Sequence, residues 1–171
     1  MSSTRITRFA VALVASAAVT MLGAPAGADA SDVRACTNAD LSASYHATDA
    51  AMSHRYGRIV LTNTSDSACS TGGYGGLSYV GHGDGTQVGA AAERDPSTVR
   101  TLVVQPGARV VSRVSETEAG VYPKKACHPT KVDGFRVYVP NSTESQFVAH
   151  PTTGCSSSSV ELLSHRALRR P

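Results

Sequence analysis

The stretch "LTNTSDSACSTGGYGG", Leu61–Gly76, decides how this chain is read. It holds a cysteine, four glycines and many hydroxyl side chains, so an anion cradle, a nucleophile loop and a corner between strands all need testing. Three catalytic templates fail on it. A phosphate loop, G-x-x-x-x-G-K-[ST], needs a lysine after its glycines, and none follows. A dinucleotide fingerprint, G-x-G-x-x-G, breaks because Gly73 and Gly75 are followed by Ser78. A nucleophile elbow, G-x-S-x-G, is absent from "SACST", and no helix-forming run follows to offer its N-terminus. The structural reading accounts for every residue. Leu61 ends a strand in the core, Asn63 and Asp66 cap a turn, and Cys69 ties the loop to the N-terminal segment. Gly72, Gly73, Gly75 and Gly76 then turn the backbone into the next strand, with Tyr74 packed over the edge.

The flanks read the same way. "LSASYHAT" (Leu41–Thr48) alternates, with Leu41, Ala43, Tyr45 and Ala47 on one face. Strands are also predicted over Tyr56–Asn63, Gly76–Gly81 and Asp84–Gly89, the last opening on an Asp-Gly turn. Arg100–Glu116 reads as two strands around the Pro106-Gly107 turn. Gly134–Pro140, Ser145–His150 and Ser159–Leu163 complete about eight short strands. No long 3.6-residue period and no internal repeat appears, so the fold class is an all-β antiparallel sandwich or barrel.

The N-terminus carries a targeting pattern: Arg5 and Arg8, an apolar run over Phe9–Leu22, then "GAPAGADA" with small residues at Ala28 and Ala30. This predicts a signal peptide over residues 1–30, cleaved near Ala30 or at Ala26, and hence a secreted or cell-wall-associated chain. The apolar run of 14 residues is shorter than the roughly 18–20 that a membrane span needs. Residues 31–163 then form one domain, and 164–171, "SHRALRRP", a short basic tail expected to be frayed. Losing Arg5, Arg8 and Asp29 takes the net charge from +3 to +2, too weak to argue for nucleic acid or an anionic membrane. Cys36, Cys69, Cys127 and Cys155 all follow the signal peptide, so they read as two disulfides. Four cysteines allow three pairings. Cys36–Cys69 with Cys127–Cys155 is favoured because each closes a loop within one half of the chain. Each would stabilise by about 3–4 kcal/mol in a chain-entropy picture.

The order of features is more specific than any one of them. "CTNADLSASY" (Cys36–Tyr45), "YGRIVLTNTSDSAC" (Tyr56–Cys69) and "GGYGGLSYVGHGDGTQVG" (Gly72–Gly89) come first. "VVQPGARVVSRV" (Val103–Val114), "CHPTKVDGFRVYVPN" (Cys127–Asn141) and a last cysteine at 155 follow. From Cys36 to about Leu163 this resembles the secreted actinobacterial proteins grouped as domain of unknown function 4232. The resemblance implies an immunoglobulin-like β-sandwich, export, no established activity and no catalytic residue to carry over. One position departs: Gly73-Tyr74-Gly75 stands where the family pattern has Gly-Tyr-Pro, which predicts a looser turn.

Other candidates are weaker. His82 and Asp84 in "GHGDG" supply two possible metal ligands where a site needs three or four. His46, Met52 and His54 suit copper by donor type, but their spacing matches no copper motif. Glu116 and Glu118 share a face if extended, yet read as solvated charges at a strand end. The sequons Asn63-Thr64-Ser65 and Asn141-Ser142-Thr143 read as chance matches in turns. No catalytic residue, metal site or cofactor is therefore assigned.

The expectation is a secreted, non-catalytic module that binds a protein or cell-wall partner, with no nucleic acid and no membrane span. Its expected surface is Tyr74 and Tyr79 with His82 and Asp84, since tyrosine is a good contact residue and the glycine loop is free to move. The alternative is a protease inhibitor presenting "YPKKACHP" (Tyr122–Pro129), with Lys124 or Lys125 as its specificity residue.

Overall fold

The computed structural model describes residues 33–171, so the expected signal peptide and its cleavage point lie outside the described residues. Among the described residues the strands run in order: β1 (Leu41–Ala51), β2 (His54–Asn63), β3 (Cys69–Gly72), β4 (Gly76–Gly81), β5 (Thr86–Ala91) and β6 (Glu93–Arg94). Then come β7 (Thr101–Val104), β8 (Arg109–Thr117), β9 (Pro129–Tyr138), β10 (Ser145–Cys155) and β11 (Leu163–His165). A five-stranded sheet in the order β1-β2-β8-β11-β6 faces a four-stranded sheet in the order β10-β9-β4-β5, with a β3-β7 ribbon at one end. All pairings are antiparallel except β11 with β6. The fold is the expected antiparallel β-sandwich with two disulfides, Cys36–Cys69 and Cys127–Cys155.

Alternation builds the core. Ile59 and Leu61 of β2 and Val110 and Val114 of β8 face Leu77 and Tyr79 of β4 and Phe135 and Val137 of β9. At the open side, the Gln146 amide of β10 stands in for a strand. Its Oε1 accepts from Ala43 N at 2.8 Å and its Nε2 donates to Leu41 O at 2.5 Å, joining the two sheets across edge strand β1.

The Leu61–Gly76 stretch is a corner. Asn63 is fully buried and satisfied: its Nδ2 donates to Ser67 O and Val104 O, and its Oδ1 accepts from Ser65 N and Oγ. That amide is closed to a modifying enzyme in the folded state. Gly73 takes φ +74°, and a Cβ on Gly75 would collide with Tyr138 O, so the turn is packed rather than loose. The turn at Pro106-Gly107 forms as expected, with Gly107 at φ +75°. However, β7 pairs with β3 and not with β8, so the Pro-Gly turn passes the chain between sheets.

The basic tail departs from expectation. Beyond β11, Arg166 N donates to Arg113 O at 3.0 Å, and Arg169 and Val111 exchange both backbone hydrogen bonds. Ala167 and Leu168 are buried. The apolar pair inside the arginine run gives the tail something to bury, so it continues the sheet instead of fraying. No helix among the described residues is long and apolar enough to cross a membrane.

Cys69 is buried on β3, while the N-terminal segment is tied there only by the disulfide and by short bridges such as Cys36 N to Ser70 O. Cys69→Ser is expected to lower unfolding free energy by about 2–5 kcal/mol in denaturant titration. A variant with native stability would show that the staple does not hold this corner.

Candidate functional site

The strand β8 that supplies Val110 and Val114 to the core carries Glu116 in the same phase. Glu116 is therefore not a solvated strand-end charge, as its position suggested: it is 0% exposed. Its Oε1 accepts from Tyr45 Oη at 2.7 Å. Its Oε2 accepts from Tyr79 Oη at 2.5 Å and from His150 Nε2 at 2.9 Å, with an Arg55 guanidinium nitrogen at 3.8 Å. An ionised carboxylate only accepts, so the His150 proton that meets it sits on Nε2. Tyr79, Phe135 and His150 stack at 5.4 and 4.6 Å between ring centroids, and Tyr45 tilts against the last two. The Tyr45 ring lies over Gly57, where any Cβ would collide with it.

Burial alone would raise the Glu116 pKa. Hydrogen bonds from His150, Tyr79 and Tyr45 outweigh it and hold the carboxyl below its ordinary value. Burial first, and the Glu116 charge with it, pushes both phenols well above their ordinary range. The cluster is one carboxylate accepting hydrogen bonds from two phenols and the His150 ring. An acid or base must come within hydrogen-bond reach of a substrate, and Glu116 has no exposed surface. Between the sheets, beside Ile59, Leu77 and His165, lies a gap of about 20 Å³, room for about one water. The cluster is a pin between sheets: β1, β2 and β8 belong to one, β4 and β10 to the other.

The second cluster is outside. Arg58 of β2 and Arg113 of β8 are direct partners in register, on the face opposite Ile59 and Val114. Like charges placed so are destabilising. The C-terminal segment adds Arg166 and Arg169 on the neighbouring strand line. Burial, then the charges of Arg113, Arg58 and Arg166, push the Arg169 guanidinium below its usual range. Its Nε is buried without a hydrogen-bond acceptor among the described residues. The ion pairs among the described residues are Arg34–Asp40, Arg55–Glu116 and His150–Glu116, so none of these four arginines has a carboxylate within 4.0 Å. Asp49 shares a recess with Arg58 and Arg113, and Asp95 one with Arg113 and Arg166; Asp95 accepts from the Ser164 hydroxyl and Asp49 from Ala50 N. A groove of about 460 Å³ runs between Arg100, Arg113, Arg166, Arg169 and Arg170. Sequence reasoning missed this face because Arg58, Arg113 and Arg166 lie over fifty positions apart and only the sheet register joins them.

The expected Tyr74–Asp84 surface is not assembled. Tyr79 is 2% exposed and bound to Glu116, since it shares the inward phase of Leu77. Tyr74, before β4, donates to Asp95 O at 2.6 Å and meets His165 edge-on. His82 and Asp84 lie at the far end of β4, where Asp84 accepts from Thr86 N. His46 and His54 are apart on the β1-β2 hairpin, opposite Arg58 and Ala51 respectively, and Met52 is exposed at its tip. Lys124 and Lys125 are exposed, but in a helical turn, Lys124–Cys127, closed by Cys127 N to Pro123 O. That is not the extended backbone a protease cleft takes up.

The architecture is thus a two-disulfide sandwich with a sealed polar pin and an arginine-bearing outer face. The family model "Domain of unknown function (DUF4232)" matches residues 36–167, and the chain belongs to that family. No curated protein and no solved structure matches it.

The lowered Glu116 pKa fixes the sign of a pH effect. Its stabilisation is present above the unfolded value, about 4.3, and is lost as pH falls through the lower folded value. Asp40, held well below the usual range by Arg34 and Thr37, adds an acid-side loss of its own. Glu116→Gln is expected to cost about 3 kcal/mol at neutral pH. It should also flatten the decline in stability below about pH 4.5, measured by urea unfolding across pH. An unchanged slope would mean that Glu116 is not held as an anion by these donors.

Proposed function

We propose that this protein is an exported, non-catalytic binding module acting at the cell envelope. Its binding face is the outer side of the five-stranded sheet around Arg58, Arg113, Arg166 and Arg169. The observation that carries the reading is the set of arginines on adjacent strand lines that, among the described residues, have no carboxylate partner within 4.0 Å. A fold that sets Arg58 directly against Arg113 spends stability on that juxtaposition, and an anionic partner would return it. Export is supported by the basic, apolar and small-residue order of the first 30 positions, and by two disulfides of the kind that persist in oxidising compartments. The absence of catalysis is supported by Glu116, whose acceptors are engaged and whose surface is covered.

Fractionation of producing cells tests this. The mature chain is expected in the wall fraction, released by salt, and an Arg113→Gln/Arg166→Gln variant is expected to shift into the medium. A chain retained in the cytoplasm, or wall retention indifferent to both arginines and salt, contradicts the reading.

A further inference from the structure

Resting on that reading of the outer face, we infer that it is a site for a ligand carrying two or more adjacent phosphate groups. The argument begins with spacing. Neighbouring strands lie about 4.8 Å apart, so Arg113 has Arg58 on one side and the Arg166–Arg169 segment on the other, each one strand line away and within a Debye length of about 8 Å. A single carboxylate could neutralise only one of them; a ligand with clustered negative charge can answer several at once.

The second point is residue type. The chain has three lysines, at 124, 125 and 131, and none belongs to this face. Every cation here is an arginine, whose planar fork matches a tetrahedral oxyanion through two parallel hydrogen bonds, where a lysine offers a point charge. Arg169 stands on the same groove wall as Arg100, Arg113, Arg166 and Arg170, so several forks face one space.

The groove fits in size and lining. At about 460 Å³ it falls in the range of small-ligand sites. Ser97 and Thr98 also line it. Leu102, Ala167 and Leu168 also line the groove, with Ala167 and Leu168 buried beneath the arginines. Asp49 shares a recess with Arg58 and Arg113, and Asp95 one with Arg113 and Arg166, while neither carboxylate lines the groove itself.

Calorimetric titration of the oxidised protein at low salt tests the inference, with tripolyphosphate, inorganic phosphate and citrate as probes. Tripolyphosphate is expected to bind at one site, more tightly than phosphate or citrate, and to weaken as salt is added. Arg113→Gln and Arg166→Gln should each weaken it about tenfold. Lys124→Gln/Lys125→Gln, which also removes positive charge, should leave it within about twofold; thermal melts confirm that each variant is folded.

Absence of tripolyphosphate binding, citrate binding as tightly, or an equal loss in the lysine variant would overturn the inference. A single-stranded oligonucleotide outcompeting tripolyphosphate would also overturn it, in favour of a nucleic-acid backbone. Wall retention that needs the arginines, without tripolyphosphate binding, sinks the ligand class and leaves the binding-module reading. Loss of both dependences sinks both.

Discussion

The buried Glu116 carboxylate is the interaction on which the sandwich depends. Taking a carboxylate out of water costs several kcal/mol unless partners replace the lost hydration. Here the partners come from four other strands: Tyr45 of β1, Arg55 of β2, Tyr79 of β4 and His150 of β10. Hydrophobic packing is tolerant of sliding; a carboxylate with three donors is not. The sheets can therefore meet in one alignment, and the Tyr79–Phe135–His150 stack fills the space that alignment leaves.

That alignment also organises the outside. Side chains alternate along a strand, so the register that turns Ile59, Val114 and Glu116 inward turns Arg58 and Arg113 outward, side by side. A slip of one residue would send arginines into the core and valines into water. The inner pin and the outer arginine row are two consequences of one pairing. Under the proposed function, binding lies on the outer face while the most polar part of the core serves only to hold it.

Much of this was legible in the sequence, for physical reasons. Period-two alternation located β1, β2, β4, β8, β9 and β10, because each buries one face against a partner sheet. The cysteine spacing pointed to the pairing that forms. What escaped was non-local. The closing strand expected at Ser159–Leu163 is Leu163–His165, and β3 and β6 are too short to show a period. Glu116 was legible in principle: Val110, Val114 and Glu116 share a phase, but its chemistry suggested water and its donors lie up to 71 positions away. Tyr79 was misplaced for the same reason, since its phase with Leu77 says core while its hydroxyl invites a surface reading. The tail hid behind its own charge, with Ala167 and Leu168 unnoticed among arginines.

The central claim is that Glu116 pins one sheet to the other through specific hydrogen bonds rather than by occupying space. A double-mutant cycle between Glu116→Gln and Tyr79→Phe, read by equilibrium unfolding at neutral pH, tests it most directly. Tyr79→Phe keeps the ring in its stack and removes only the hydroxyl that reaches Glu116 Oε2 at 2.5 Å. The account predicts that the two losses are far from additive, with a coupling of about 1–3 kcal/mol. Additive losses, with a coupling within about 0.3 kcal/mol of zero, would contradict it.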